Sequence, residues 1–186
     1  NLFWTLDPID GTKGFLRGDQ YAIALGLIKD GNPHFGVLGC PNLTANVNVP
    51  DAGNLSEGVV LFACSGQGSF ILKSSENNVI EGLKIEARKE VAGNIRFCAS
   101  VERGHSNRSA QDNIIEKFSI NSSKVYVDSQ CKYALVASGN ADVYLRLPTV
   151  KDYRERIWDH AAGALIAQES GAIVTDVRGN RLDFSH

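Results

Sequence analysis

The sequence predicts a mixed α/β fold in two parts, residues 1–93 and residues 94–186, and two patterns support this prediction. Short segments rich in β-branched and aromatic residues, separated by turns, fill the first part. In the second part strand-like segments alternate with helix-like segments, which is typical of strands joined by crossover helices. The change of pattern places a domain boundary near Ala92 and Gly93.

Five strands are predicted in the first part. The first of them is an apolar run that ends at Asp7 and Pro8, as a buried strand entering a turn would. The Asp-Gly pair at 30–31 and the Gly-Gln-Gly at 66–68 supply the positive φ that tight hairpin turns need. Together these features predict an antiparallel meander over residues 2–6, 21–29, 34–38, 59–63 and 69–73.

The second part is predicted to alternate between strands and helices. Glycine readily adopts the conformation that follows a helix C-terminus, so Gly171 is expected to end the last helix. We expect a layer of strands with crossover connections. The predicted strands cover residues 96–99, 124–127 and 142–147, and the predicted helices cover residues 110–118, 132–138 and 160–170.

The composition points to small-molecule chemistry. The 186 residues are 43% hydrophobic and 22% charged, so the chain can bury a core and is not disordered. A formal net charge of -2 offers no basic surface for a nucleic acid or for an anionic membrane. No apolar run approaches the roughly 20 residues that cross a bilayer. We therefore expect a monomer that acts on a small molecule, with neither nucleic acid nor membrane as a partner.

Cysteine usage and the absence of methionine add two expectations. The four cysteines lie far apart in the sequence and form no CxxC pair, so we predict buried free thiols. Free thiols favour a reducing, intracellular and specifically cytoplasmic location. Because the chain contains no methionine, we interpret it as an internal piece of a longer protein.

The densest cluster of reactive residue types is the hexapeptide at 7–12, Asp-Pro-Ile-Asp-Gly-Thr. Asp7 and Asp10 can converge on a hard divalent cation such as Mg²⁺, which prefers oxygen ligands. Gly11 allows close approach of a ligand, and a helix beginning near Thr12 would offer backbone amides to a phosphate. The alternative interpretation is an Asp-rich turn whose side chains cap the next helix.

A second cluster, Trp-Asp-His-Ala-Ala-Gly, occupies positions 158–163 at the start of the last predicted helix. Asp159 stands where an N-cap residue is expected, and the small residues after it allow close packing. Taken alone, this cluster is more typical of a capped, buried helix than of a metal site. Trp158 and Trp4, which flank the two acidic motifs, are both expected in the core.

Together the two motifs resemble the paired signature of the inositol monophosphatase superfamily of Mg²⁺-dependent, lithium-sensitive phosphatases. Two longer stretches are similar to the fungal and plant branch of 3′(2′),5′-bisphosphate nucleotidases. They are Phe-Trp-Thr-Leu-Asp-Pro-Ile-Asp-Gly-Thr-Lys-Gly-Phe-Leu-Arg at 3–17 and Ala-Asp-Val-Tyr-Leu-Arg-Leu-Pro at 141–148. The resemblance covers nearly the whole chain. It implies a layered αβαβα sandwich of the inositol monophosphatase and fructose-1,6-bisphosphatase type, here truncated.

The resemblance also implies a metal site. Asp7, Asp10 and Asp159 would bind metal through their carboxylates, and Ile9 through its backbone carbonyl. Two or three Mg²⁺ ions would activate a water for in-line attack on phosphorus. Thr12 and Asp10 are the catalytic residues that this assignment names, with Thr12 orienting the water. Li⁺ would inhibit by replacing one Mg²⁺.

Substrate binding follows from the same resemblance. The scissile phosphate is expected against Lys13 and the amides of Gly11 and Thr12. Lysine and arginine pair with phosphate through charge-assisted hydrogen bonds. Without the resemblance, the preferred interpretations would be a solvated helix charge for the lysine, a structural ion pair for the arginine and a loop position for the histidine. The residues implied to hold the non-reacting phosphate and the base are His105, Ser129, Lys132 and Arg146.

The implied reaction is hydrolysis of the 3′-phosphate of adenosine 3′,5′-bisphosphate to AMP and phosphate. The resemblance also implies related activity on 3′-phosphoadenylyl sulfate and a role in sulfur assimilation. Two alternatives are an inositol phosphate phosphatase of the same superfamily and a catalytically inactive nucleotide-binding remnant. The family pattern also places a metal-binding glutamate and a water-activating aspartate ahead of the first motif, and a closing strand and helix after residue 186. We expect little turnover from a fragment without them.

Overall fold

A computed structural model of the chain describes residues 1–43, 58–74, 80–89, 93–101, 108–118, 120–147 and 154–185. Two sheets and four α-helices make up this described part, together with one 3₁₀ turn at Ile157–Asp159. The strands are β1 (Leu2–Asp10), β2 (Ala22–Lys29), β3 (Asn32–Cys40), β4 (Val59–Cys64), β5 (Gly68–Ser74), β6 (Ile80–Ile85), β7 (Ile95–Ala99), β8 (Ser122–Tyr126) and β9 (Val143–Tyr144). The helices are α1 (Thr12–Arg17), α2 (Arg108–Lys117), α3 (Cys131–Ala137) and α4 (Ala161–Glu169).

The first sheet contains β1 to β6, paired antiparallel in chain order. This arrangement confirms the predicted meander, including the hairpin turn where Asp30 and Gly31 both have positive φ. The sequence analysis missed β6. Polar residues and Gly82 interrupt the apolar pattern of that strand, and glycine weakens a strand because it has no side chain to pack.

The second sheet is parallel, with β7 between β8 and β9. Helix α2 connects β7 to β8, and α3 connects β8 to β9, so the predicted alternation of strands and helices is confirmed. The strand predicted over residues 142–147 is much shorter, since only Val143 and Tyr144 pair with β7. The predicted boundary near residue 93 falls between the last strand of one sheet and the first strand of the other.

Helix α4 contacts both the first sheet and α3. Two glycines of the sheet permit this close approach. A Cβ at Gly26 would lie 3.3 Å from the Cβ of Ala161, and one at Gly36 would lie 3.0 Å from the carbonyl oxygen of Ala162. Residues Ala161 to Ala167 are all buried. The helix that carries the second acidic motif is therefore anchored in the core formed mainly by Ile28, Leu38, Leu61, Ile71, Leu165 and Ile166.

Several sequence expectations for the core are corrected here. Trp4 is 56% exposed and Trp158 is 42% exposed, so neither belongs to the core. Trp4 lies on the face of β1 where alternate apolar side chains are exposed. The cysteines carry free thiols as predicted, and all are buried except Cys64, which is half-buried. None of the described helices is long and apolar enough to cross a membrane.

Candidate active site

A pocket of about 410 Å³ lies where the end of β1 and the start of α1 face the turn that precedes α3. Both acidic motifs reach it. The sequence-predicted residues that line it are Asp7, Ile9, Asp10, Gly11, Thr12, Ser129, Lys132, Arg146 and Asp159, together with Lys13. His105 lies outside the described residues. The pocket thus brings together every predicted site residue whose position is described.

A β-bulge at the end of β1 directs the first two carboxylates into this pocket. Side chains three residues apart on a regular strand point to opposite faces of the sheet. In β1, however, Asp7 pairs with Ala24 and Asp10 pairs with Ala22, so one extra residue stands on the β1 side. The bulge restores a common direction, and both Asp7 and Asp10 line the pocket.

The backbone after Asp10 requires a glycine. Gly11 has φ of 83°, in the left-handed region, and it precedes α1, which begins at Thr12 as the sequence predicted. A Cβ at Gly11 would lie only 2.8 Å from the Cβ of Ser129. The hydroxyl of Thr12 donates a hydrogen bond to the carbonyl oxygen of Ile9 at 3.3 Å. Gly11 therefore allows the first motif to lie directly against the turn before α3.

Burial raises the pKa of both first-motif carboxyls. For Asp10 the pKa rises to about 6, although the backbone amide of Gln130 and the nearby ammonium of Lys132 lower it. For Asp7 burial again contributes most, and the charge of Asp159 also raises the pKa. The carboxylates lie close enough to repel one another, and a cation between them would relieve this repulsion.

Asp159 does not cap α4. It ends the 3₁₀ turn, and its carboxylate accepts a hydrogen bond from the backbone amide of Arg156 at 2.9 Å. His160 is the N-cap residue of α4 and makes no side-chain capping bond. The interpretation of Asp159 as the cap of the last helix was therefore wrong, and its carboxylate is directed toward the pocket instead.

The cationic side chains that line the pocket beside these carboxylates belong to Lys13, Lys132 and Arg146. Lys132 is only 2% exposed, so the interpretation of it as a solvated helix charge was wrong. Its ammonium donates to the carbonyl oxygen of Val127 at 3.3 Å and lies 5.4 Å from the centroid of the Tyr144 ring. Burial lowers the pKa of Lys132, while the charge of Asp10 raises it.

Arg146 forms an ion pair with Glu155, as one of the sequence interpretations allowed. Its Nε and Nη2 atoms donate to the two carboxylate oxygens at 2.9 and 3.2 Å. Burial would raise the pKa of Glu155, but hydrogen bonds from His160 and Arg146 lower it to about 2. The pair lies in the wall of the pocket, where the guanidinium can meet an anion that enters.

The oxygen donors fit Mg²⁺ in their chemistry. Carboxylate and carbonyl oxygens are the ligands that this ion prefers, and Asp7, Asp10, Asp159 and the carbonyl of Ile9 supply them. Among the residues that the structure describes, no three or more His, Cys, Asp or Glu side chains converge closely enough to hold an ion by themselves. The fit therefore rests on the type and charge of the donors rather than on a closed coordination shell.

Sequence reasoning missed four residues that line the pocket: Gln130, Tyr144, Glu155 and His160. Glu155 belongs to a charged run of mixed sign, a pattern typical of a solvated connection, yet its carboxylate pairs with Arg146. His160 shares a 2.8 Å hydrogen bond with the hydroxyl of Tyr133. Nothing in the sequence marked Gln130, because a buried glutamine has no characteristic pattern.

The chain is similar in sequence to proteins named 3′(2′),5′-bisphosphate nucleotidase. It is 44% identical to a 3′(2′),5′-bisphosphate nucleotidase from Emericella nidulans, over 98% of this chain and 54% of that protein. It is 45% identical to a nucleotidase of the same name from Oryza sativa, over 98% of this chain and 51% of that protein. The chain thus spans about half the length of the curated relatives it matches.

Solved structures share the fold. CysQ from Bacteroides thetaiotaomicron, described as a bacterial member of the inositol monophosphatase family, superposes with a TM-score of 0.74 at 23% identity, covering 100% of this chain and 65% of that one. SaIMPase-II bound to 2′AMP superposes with a TM-score of 0.68 at 20% identity, covering 100% of this chain and 61% of that one. The same protein is known with inositol monophosphate bound.

Three findings point to the same family: the layered α/β architecture, the two acidic motifs that meet in one pocket, and the similarity to these proteins. The family model described as "Inositol monophosphatase family" matches residues 1–186, and the chain belongs to that family.

Proposed function

We propose that the protein carrying this chain is a Mg²⁺-dependent phosphatase that converts adenosine 3′,5′-bisphosphate to AMP and phosphate. Related activity on 3′-phosphoadenylyl sulfate, and with it a role in sulfur assimilation, is part of the proposal. The observation that carries it is a pocket in which the three proposed metal-binding carboxylates lie beside the cations Lys13, Lys132 and Arg146. Relatives named for this reaction, at about 44% identity, support it.

The acidic part of the pocket suits the reacting phosphate together with its metal ions. Asp7, Asp10 and Asp159, with the carbonyl of Ile9, are the proposed ligands of two or three Mg²⁺ ions. When bound, Mg²⁺ would neutralise charge on the phosphoryl oxygens and stabilise the departing alkoxide. Inhibition by Li⁺ belongs to this part of the proposal, since a monovalent ion in one of these positions would supply less charge.

The chain's own groups would orient the attacking water. Because the hydroxyl of Thr12 donates its hydrogen to the carbonyl of Ile9, the lone pairs of the oxygen can accept a hydrogen bond from water. Asp10 is held by the amide of Gln130 and lies beside Thr12 in the pocket. The amides of Gly11 and Thr12 would then face the scissile phosphate.

The basic part of the pocket suits a second, non-reacting phosphate. Arg146 presents a planar guanidinium that Glu155 already orients, and an oriented guanidinium loses little entropy when it binds an anion. Ser129, with φ of 63°, lies at the turn beside Gly11. Lys132 contributes positive charge from a nearly buried position. With His105, these groups are the proposed contacts for the 5′-phosphate and the base.

An inositol phosphate is the second candidate substrate. SaIMPase-II, which has the same fold, is known both with 2′AMP and with inositol monophosphate, so this fold accepts either kind of ligand. A nucleotide-binding protein without turnover is a third candidate, favoured by the lack of a closed metal shell among the described residues. An intracellular, reducing location fits the four free cysteines and completes the proposal.

Phosphate release from the intact protein would test the proposal. The purified protein is incubated with Mg²⁺ and either adenosine 3′,5′-bisphosphate or inositol 1-phosphate, and kcat/KM is compared. We expect Mg²⁺-dependent release with a higher kcat/KM for the nucleotide. A preference for inositol 1-phosphate would replace the proposed substrate, and tight nucleotide binding without release from either compound would identify a binding protein.

A further inference from the structure

Gln130 occupies the turn between β8 and α3 and is almost completely buried. It is 2% exposed and is the N-cap residue of α3. Neither a metal-binding nor a substrate-binding role was assigned to it above. A glutamine buried to this extent must satisfy both its amide NH₂ group and its carbonyl oxygen, or lose stability. Its hydrogen bonds are therefore informative.

Three hydrogen bonds connect Gln130 to both acidic motifs. Its backbone amide donates to Oδ2 of Asp10 at 2.5 Å. Its side-chain Nε2 donates to the carbonyl oxygen of Trp158 at 2.9 Å. Its Oε1 accepts from the backbone amide of Gly163 at 3.1 Å. One residue thus joins the first motif to both ends of the second motif.

The chemistry of these partners requires an amide side chain of this length. One partner is a carbonyl oxygen and the other is an N–H group, so the side chain must donate and accept at the same time. Leucine can do neither, methionine cannot donate and accepts only weakly through sulfur, and glutamate cannot donate when it is ionised. The space is also closed, since a Cβ at Gly163 would lie 3.0 Å from Oε1 of Gln130 and 2.3 Å from the Tyr133 ring.

These bonds act on the placement of two proposed metal ligands. The bond to Asp10 fixes one of its carboxylate oxygens and leaves the other oxygen available. The carbonyl of Trp158 belongs to the peptide group that leads into Asp159, so the bond from Nε2 restrains the 3₁₀ turn that ends there. Asp10 and Asp159 belong to separate elements of the fold. The hydrogen bonds of Gln130 connect those two elements.

We propose that Gln130 is a positioning residue that holds Asp10 and Asp159 at the separation needed to bind Mg²⁺ together. This inference rests on the proposed function, because it assigns those two carboxylates to the metal. Residues that support metal ligands typically contribute 10- to 100-fold to metal affinity. Both polar ends of the Gln130 side chain are bonded to backbone groups of the second motif, so in this proposal its effect is exerted through the ligands.

The test compares two buried glutamines in the intact protein. Gln130→Met keeps the length of the side chain but removes its hydrogen bonds to Trp158 and Gly163, whereas the backbone amide that holds Asp10 remains. Gln111→Met makes the same change at another 2% exposed glutamine, on α2, whose amide donates to the carbonyl of Cys98 at 3.5 Å and which does not line the pocket. Thermal unfolding without metal reports the structural cost of each change.

Mg²⁺ affinity is measured by calorimetry without substrate, so the readout does not depend on turnover. We expect Gln130→Met to weaken Mg²⁺ binding by about 10- to 100-fold, and Gln111→Met to leave it unchanged at a similar loss of Tm. In activity assays, saturating Mg²⁺ should restore much of kcat to Gln130→Met, since the ligands themselves are intact. Wild-type Mg²⁺ affinity in a folded Gln130→Met protein would overturn the inference.

A second variant covers the case in which Gln130→Met does not fold. Gln130→Asn keeps a polar amide but is too short to reach both Trp158 and Gly163, so it should also weaken Mg²⁺ binding. If neither variant folds while Gln111→Met does, Gln130 determines the fold rather than the site, and the positioning role is overturned. Failure of the proposed function is a separate result: a wild-type protein that binds Mg²⁺ but releases no phosphate.

Discussion

The two sheets of this molecule are surrounded by different kinds of buried side chain. Around the antiparallel sheet the buried residues are almost all apolar, with Ile28, Leu38, Leu61 and Ile71 fully buried. Around the parallel sheet and α3 many buried residues are polar. They are Ser100, Gln111, Asp128, Gln130 and Lys132. The first region therefore depends on the nondirectional hydrophobic effect, and the second on particular hydrogen bonds and ion pairs.

Asp128 illustrates the second kind of stabilisation. Its Oδ2 accepts from Arg17 of α1 at 2.6 Å, and its Oδ1 accepts from the amide of Val101 at 3.1 Å. These bonds attach the helix of the first motif to the loop that follows β8. The difference between the regions suggests that the antiparallel sheet supports the site, whereas the polar region determines which charges meet there. The following changes test that division.

The largest effect is expected at Asp10, where the two regions meet. Asp10→Asn removes the charge that we assign to the metal but keeps the hydrogen bond from Gln130 feasible. Mg²⁺-dependent phosphate release should fall by more than the roughly 100-fold that loss of an outer partner of a ligand can cost. Steady-state kinetics on the intact protein would measure it. The matched change Asp30→Asn, in an exposed turn with φ of 49° that asparagine tolerates, should leave release unchanged.

A core change in the antiparallel sheet should affect stability but not chemistry. Leu61 is fully buried on β4, and Leu61→Ala should lower the free energy of unfolding by about 2–5 kcal/mol because it leaves a cavity. The neighbouring Val60→Ala, at a position 36% exposed, should cost much less. Urea unfolding measures both changes. An altered KM in the folded Leu61→Ala protein would contradict the division between the regions.

A change at Arg146 should affect one substrate and not another. Arg146→Met removes the guanidinium proposed to bind the non-reacting phosphate, and a hydrogen bond to a charged group contributes about 1.5–3 kcal/mol. The KM for adenosine 3′,5′-bisphosphate should therefore rise by roughly 10- to 100-fold, while the KM for inositol 1-phosphate should change little. Arg178→Met, at an exposed position, is the control. Equal loss for both substrates would indicate that Arg146 has only a structural role.

The smallest effect concerns pH and an ion pair distant from the site. Burial would raise the pKa of Asp142, but hydrogen bonds from the side chain and amide of Arg96 lower it below its usual value, and Arg88 adds to this. A carboxyl with a lowered folded-state pKa stabilises the protein above its unfolded-state pKa of about 3.9, and this contribution is lost as the pH falls through the folded value.

Asp142→Asn should therefore lower the free energy of unfolding at pH 7 by about 1–3 kcal/mol, and the difference from wild type should shrink as the pH approaches about 3. Urea unfolding at several pH values would show this. Asp112, paired with Lys124 at the surface, offers the comparison, since Asp112→Asn should cost at most about 1 kcal/mol. A constant difference between wild type and Asp142→Asn at all pH values would contradict the assignment.

Local sequence patterns predicted most of the scaffold. Hairpin turns such as Asp30-Gly31 have characteristic residues, and buried strands have characteristic runs of β-branched residues, so five of the six antiparallel strands were predicted. The ends of elements were less accurate, as the short β9 shows. The length of β9 depends on how many of its residues can pair with the backbone of β7. Residues 142–147 by themselves carry no information about that pairing.

The two acidic motifs could likewise be found from the sequence, because carboxylates, glycine and threonine at fixed spacing are recognisable within a few residues. Their meeting in one pocket depended on a bulge in β1, on the close contact of Gly11 with Ser129, and on α4 packing across the sheet. Each of these joins residues that are distant in the chain. Gln130 and Glu155, which bond to the site residues Asp10 and Arg146, could not be predicted from local sequence for the same reason.

The sequence by itself determined which chemical groups are available: oxygen donors near residues 7–12 and 159, and cations at 132 and 146. The tertiary structure alone decided which of them are buried, charged and adjacent. Asp159 was expected at a helix cap and instead faces the pocket, and Lys132 was open to interpretation as a solvated charge but is nearly inaccessible to water. Desolvation and Coulomb interaction depend on distance in space, and distance along the chain does not specify them.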